Sequence, residues 1–232
     1  MKLLFKTLIL CLVLQGSTLY SQPQEKPNFI IMIADDAGWR DFGAYGNSGI
    51  RTPNIDQLAR EGLIFTNAFL TTSSCSPSRC SILSGRYPHN TGAPNLGMPL
   101  PEDQLIFPGE LKKAGYYTAA SGKWHIGPQR PDFDTTYGWG GPSGCGFWET
   151  ALQERPKDKP FFMWFAAVDP HRGYKAGTIP EPHTPSSVTV PPYLPDNDSV
   201  RKDIAMYYDE ITRLDSYVGK VMAILEKQGI KN

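Results

Sequence analysis

Four short clusters in this chain hold the residue types that could do chemistry. Cys75-Ser76-Pro77-Ser78-Arg79 puts a thiol at the opening of a predicted helix. Free backbone N–H groups and the helix dipole favour an anion there, and Arg79, one turn in, can reach back toward it. The same five residues also read as a proline-containing helix start with an incidental cysteine. Asp35-Asp36 places two adjacent carboxylates at the end of an apolar run. Their mutual repulsion asks for compensation, and a hard divalent cation would supply it; two solvated loop aspartates or a helix cap are the plainer readings. In Gly122-Lys123-Trp124-His125, Lys123 and His125 are two apart and point the same way in an extended segment. Together they could bind an anionic group and move a proton, though the segment also fits a surface loop with a packed tryptophan. His171, in Asp169-Pro170-His171-Arg172, is the fourth candidate, or else a structural or merely exposed histidine.

Elements that could position these clusters follow from periodicity. Asn28 to Ala34 (NFIIMIA) and Phe161 to Val168 (FFMWFAAV) are continuous apolar runs, as expected of buried strands. Tyr116 to Ala120 reads as a further strand, and Leu63 to Phe69 as a short one. Thr52 as N-cap, Pro53 at the first helical position and Gly62 as the stop predict a helix with Ile55, Leu58 and Ala59 inward. Ser78 to Leu83 predicts the first turns of another, ended near Gly85, and Phe107 to Ala114 a third, closed by Gly115. Asp203 to Gln228 carries the clearest helical period, from Ile204 and Tyr207 through Leu225, with Gly229 as its end. Gly173 to Pro195 is proline-rich and reads as an irregular excursion. Alternating strands and helices predict an α/β fold with a mostly parallel, sandwiched sheet. Ligands of such sheets sit beyond the carboxyl ends of the strands, where Asp35-Asp36, Gly122 to His125 and Asp169 to His171 all fall.

Composition narrows the setting. The 232 residues are 40% hydrophobic, enough for a real core, and 23 Lys+Arg balance 23 Asp+Glu. That balance gives no global electrostatic case for nucleic acid or an anionic membrane. Met1, Lys2 and Lys6, the apolar Leu8 to Leu14 and the small, polar Gly16 to Ser21 read as a secretory signal peptide over residues 1–21, which places the chain in the periplasm or outside the cell. No later stretch reaches transmembrane length. Cys11 lies within the signal and lacks the small preceding residue of a lipidation site. Cys75, Cys80 and Cys145 remain, an odd number for an exported protein. Either buried thiols or a Cys80–Cys145 disulfide with Cys75 spare would account for them.

Taken together, the clusters resemble the type I, formylglycine-dependent sulfatases. Cys75-Ser76-Pro77-Ser78-Arg79 continuing through Ser84-Gly85-Arg86 is similar to that family's first signature. Gly115-Tyr116-Tyr117-Thr118 with Gly122-Lys123-Trp124-His125-Ile126-Gly127 is similar to its second. Asp35-Asp36 and the helix of Thr52-Pro53-Asn54-Ile55-Asp56 fall in the matching order. Within the family, Ser74 to Arg79, Asp169 to Arg172 and Val190 to Pro195 look most like the heparan N-sulfatase branch, which also holds bacterial enzymes for other sulfated polysaccharides.

The resemblance implies an alkaline-phosphatase-like sandwich, with residues 22–232 as an incomplete N-terminal catalytic domain. It implies that a maturation enzyme oxidises Cys75 to formylglycine, whose hydrate attacks sulfur and later expels sulfate. Ca²⁺ would be held by Asp35, Asp36 and residue 75. Arg79 would stabilise the hydrate, Lys123 would neutralise charge on the sulfuryl group, His125 would serve the second hydroxyl, and His171 would protonate the leaving group. The implied substrate is a sulfated glycan, as O-sulfate or N-sulfate. Family members carry further metal ligands on a strand after a helix like Asp203 to Gln228, past the last residue of this sequence. Other readings are a phosphodiesterase or phosphonate hydrolase of the same superfamily, and a glycan-binding or inactive fragment without catalysis.

Overall fold

The computed structural model describes residues 26–231; the signal peptide read at residues 1–21, with Cys11, lies outside them. Four strands form one parallel sheet in the order β1-β4-β2-β3: β1 Phe29–Ile33, β2 Tyr117–Gly122, β3 Thr135–Tyr137 and β4 Phe161–Ala166. Phe29 pairs with Phe162 across β1 and β4, and Ala119 with Met163 across β2 and β4. Five helices accompany them: α1 Pro53–Glu61, α2 Cys75–Ser84, α3 Phe107–Lys113, α4 Trp148–Glu154 and α5 Asp198–Lys227.

All six residues of β4 are buried, and the period-two alternation of a strand sends them to two cores. Phe161, Met163 and Phe165 face one layer with Trp148 and Leu152 of α4 and Leu214, Val218 and Val221 of α5. Phe162, Trp164 and Ala166 face the other, with Cys80 and Leu83 of α2 and Ile106. Trp148 stacks on Phe165 with ring centroids 5.2 Å apart. Each such fully buried aromatic would cost about 3–5 kcal/mol if cut back to alanine. A third cluster, with Ile50, Val188, Ile204, Tyr208 and Ile211, lays the proline-rich excursion over the first half of α5. Among the described residues no helix is long and apolar enough to cross a membrane.

Several expectations change in the structure. Leu63 to Phe69 forms no strand. A strand needs a ladder partner as well as apolar residues, and here Leu63, Phe65 and Phe69 are 85%, 69% and 87% exposed. Thr52 stands before α1 but does not cap it with its side chain. Its hydroxyl donates to Asp56 and accepts from the Gly43 N–H. The cap comes from α5: Asp215 accepts from the Ile55 N–H at 2.8 Å and from the Asn54 side chain at 2.7 Å. Helix α5 begins at Asp198 rather than Asp203, because Asn197 accepts from the Val200 N–H at 3.0 Å. Helix α2 opens at Cys75, as the thiol's place predicted, and ends, as read, at a left-handed Gly85. Strand β3 and helix α4 are additions to the expected elements. The Cys80–Cys145 disulfide is excluded: the two thiols are free and lie in cores on opposite sides of the sheet.

Candidate active site

The loop after β1 and the start of α2 meet at the carboxyl edge of the sheet. They enclose a cavity of about 200 Å³ lined by Asp35, Asp36, Cys75, Ser78 and Arg79. Cys75 is the first residue of α2 and half-buried, with a free thiol. Ser74 offers no side-chain cap, so the first-turn N–H of Cys75, on the cavity wall, is left without a helical acceptor.

Asp35 is the hub. It is 3% exposed, and its backbone N–H donates to the Asp169 carbonyl at 2.9 Å, tying the ends of β1 and β4 together. Arg79 donates to Oδ1 at 3.2 Å and Lys123 closes on Oδ2. A second Arg79 nitrogen donates to the Lys123 carbonyl at 2.7 Å. Two cations thus offset the buried Asp35 carboxylate, and the Asp36 carboxylate on the same wall balances the charge that remains.

Lys123 owes its position to Gly122. There φ is +96°, and a Cβ would lie 1.9 Å from the Ala166 carbonyl oxygen, so only glycine fits where β2 passes β4. The next amide, of Lys123, donates to that carbonyl at 2.8 Å. Asp36 (φ 64°) and His125 (φ 53°) are non-glycine residues with left-handed backbone. Such residues gather where the surroundings force a side chain into a required place.

His125 has its pKa lowered, first by burial and then by the Lys123 and Arg79 charges, so it is neutral near neutral pH. Its Nδ1 is buried without a partner among the described residues. His171 Nδ1 lies 2.6 Å from the Arg172 carbonyl. A carbonyl only accepts, so Nδ1 carries the proton, and Nε2 faces Asp36 at 3.7 Å. The structure thus places Asp35, Asp36, Lys123, His125 and His171, at the ends of strands, in one neighbourhood with Cys75 and Arg79 of α2.

The sequence reading did not pick out the groups behind them. Arg213 of α5 grips Asp169 with both nitrogens, at 2.7 and 2.6 Å. Tyr207 donates to Asp41 at 2.7 Å and lies 3.2 Å from the Asp36 carbonyl. Burial, then the Asp41 charge, pushes the Tyr207 pKa up, so it stays a donor. The helical period flags Tyr207 only as a core-facing residue, and nothing local flags Arg213. Desolvation pushes the Cys145 thiol up and that of Cys80 up to about 11, leaving both inert.

Asp35 and Asp36 suit a hard cation in kind, two carboxylates on one cavity wall. They do not complete its shell: among the described residues no three His, Cys, Asp or Glu converge.

The profile of the sulfatase family matches residues 27–144. Human N-sulphoglucosamine sulphohydrolase is 34% identical over 242 residues, covering 88% of this chain and 48% of that protein. Human N-acetylgalactosamine-6-sulfatase is 36% identical over 159 residues, covering 60% of this chain and 30% of its own length. The chain therefore spans about half or less of the length of these relatives. Among solved structures, a protein in complex with its substrate D-glucosamine-2-N,6-O-disulfate superposes with a TM-score of 0.72 at 21% identity, covering 89% of this chain and 63% of that one.

Proposed function

The chain belongs to the sulfatase family, and from that premise we propose that it is the N-terminal, chemistry-bearing part of an exported sulfatase that removes sulfate from O- or N-sulfated glycans. The observation that carries this reading is the shared cavity in which Cys75 opens α2 beside Asp35, Asp36 and Arg79. Amino-sugar sulfates are favoured as substrates by the kinship with N-sulphoglucosamine sulphohydrolase.

Oxidation of Cys75 to formylglycine by a maturation enzyme would give the site an aldehyde hydrate, a nucleophile with its own means of releasing sulfate. Asp35 and Asp36 would hold Ca²⁺, which when bound polarises sulfate oxygens and favours loss of a hydroxyl proton, with water filling coordination sites the two carboxylates leave open. The remaining work falls to the chain's own residues. Arg79 is fixed one turn from residue 75 by its bonds to Asp35 and the Lys123 carbonyl, so its charge is in place before substrate arrives. Lys123 adds a second cation against the charge that builds on the sulfuryl oxygens. His125, kept neutral by burial and neighbouring cations, can accept a proton from a hydroxyl on residue 75. His171 presents Nε2 beside Asp36 and in its imidazolium form can protonate the departing oxygen or nitrogen.

The test is to express the chain with a formylglycine-generating enzyme and weigh the tryptic peptide Glu61 to Arg79. A mass loss matching thiol-to-aldehyde conversion, with sulfate release from glucosamine 6-sulfate or N-sulfate, is expected. An unmodified thiol, where a control sulfatase is converted, overturns the formylglycine reading. Release of the alcohol from phosphonate monoester or phosphodiester substrates in its place assigns the chain to that chemistry instead.

A further inference from the structure

Two more cavities continue from the candidate site. Asp36 lines both the cavity at Cys75 and a neighbouring one of about 230 Å³ beside Arg172. Asp41, Thr189, Pro191 and Tyr193 then line both that middle cavity and a larger one of about 580 Å³. The three lie side by side, sharing wall residues, from residue 75 along the loop after β1 to Trp39. The largest has the size of a small-ligand site.

The lining of the far end is specific. Arg40 lies over the Trp39 ring, 4.9 Å from its centroid, and Tyr45 meets the same indole edge-on at 5.9 Å. Trp39 is nonetheless 58% exposed. Among the described residues the Arg40 guanidinium makes no ion pair and no hydrogen bond; only its carbonyl is used, accepting from Asn47 at 3.0 Å. Tyr193, from the proline-rich excursion, is 80% exposed in the same cavity. Of the carboxylates along these cavities, Asp203 is held by Arg172 at 2.8 and 2.6 Å, Asp41 keeps its charge while accepting from Tyr207 and from the Gly38 N–H, and Asp36 faces His171. The far end therefore offers an unpaired planar cation on an aromatic platform and a free aromatic face. A fork of N–H donors suits an oxyanion, and aromatic faces suit the C–H face of a sugar ring.

We propose that this far end is a subsite for a second sugar of a sulfated oligosaccharide, with Arg40 binding its anionic substituent and Tyr193 stacking on its ring. The inference rests on the sulfatase reading of the Cys75 centre. A free small anion would need only the cation; a chain-linked sugar uses the adjacency to the reaction cavity as well.

Isothermal titration of the full chain with glucosamine 6-sulfate and with a sulfated, glucosamine-containing tetrasaccharide tests it. The readout is the ratio of the two affinities. The parent should bind the tetrasaccharide about tenfold more tightly, and Arg40→Ala and Tyr193→Ala should each reduce that ratio about threefold or more, while Tyr193→Phe retains it. Thermal melts check that the exposed substitutions leave the fold intact. A parent that binds the monosaccharide with no gain for the tetrasaccharide overturns the subsite alone, as does a ratio unchanged in both alanine variants. A parent that binds neither ligand overturns the sulfatase reading and the subsite together.

Discussion

Arg213 holds both carboxylate oxygens of Asp169, at 2.7 and 2.6 Å, and so fastens the long helix α5 to the loop that carries His171. The Asp169 side chain is 1% exposed. Removing one partner of a buried pair leaves the other charge desolvated and alone. Arg213→Ala should lower the free energy of unfolding by about 3–5 kcal/mol, read by urea denaturation. A loss below about 1 kcal/mol would mean that water reaches Asp169 and that the pair does not organise this loop.

Glu210 gives the fold a pH dependence. Burial first, and then the Asp169 charge, push its pKa from 4.5 to about 7. The unfolded chain gives up this proton near pH 4.5 while the native protein keeps it to about pH 7. Stability therefore falls as pH rises between those values and levels off above them. Glu210→Gln should remove that slope, closing a gap of up to roughly 3 kcal/mol between pH 5 and pH 8 relative to the parent. Parallel urea titrations at the two pH values measure it, and equal slopes in parent and variant would show that Glu210 is ionised in the native state.

Gly122 should tolerate no side chain. A Cβ there meets the Ala166 and Gly144 carbonyl oxygens, at 1.9 and 2.8 Å, and both are backbone. Gly122→Ala is expected to cost about 1–3 kcal/mol and to displace Lys123 from Asp35. Sulfate release by the matured protein should then drop at least about tenfold, the cost of a modest loss in transition-state stabilisation. Unchanged turnover in the variant would separate the placement of Lys123 from the reaction.

Much of this arrangement is legible in the chain because it is local. Apolar runs name β1 and β4, since a buried strand needs little beyond its own residues to be recognised. Polar residues directly after such runs must lie at the carboxyl edge, which is why Asp35, Asp36, Lys123, His125 and His171 could be grouped before any contact was known. The ends of α1 and α2 follow from Pro53 and Gly85 for the same reason. Leu63 to Phe69 shows where this logic stops: its composition suits a strand, but no described neighbour supplies a ladder.

What the tertiary structure alone decided are the pairings across long separations. Asp215 caps a helix that starts 162 positions earlier in the chain, at Pro53, and displaces Thr52 from the role its type and place predict. Arg213 is an ordinary helix residue until Asp169 is set opposite it. Two cations converge on Asp35 only once β1, α2 and β2 are assembled. A sequence fixes which groups exist and the local geometry each prefers, because propensity and periodicity act over a few residues. Which buried charge meets which partner depends on how the layers close, since the cost of leaving that charge unpaired is set by packing.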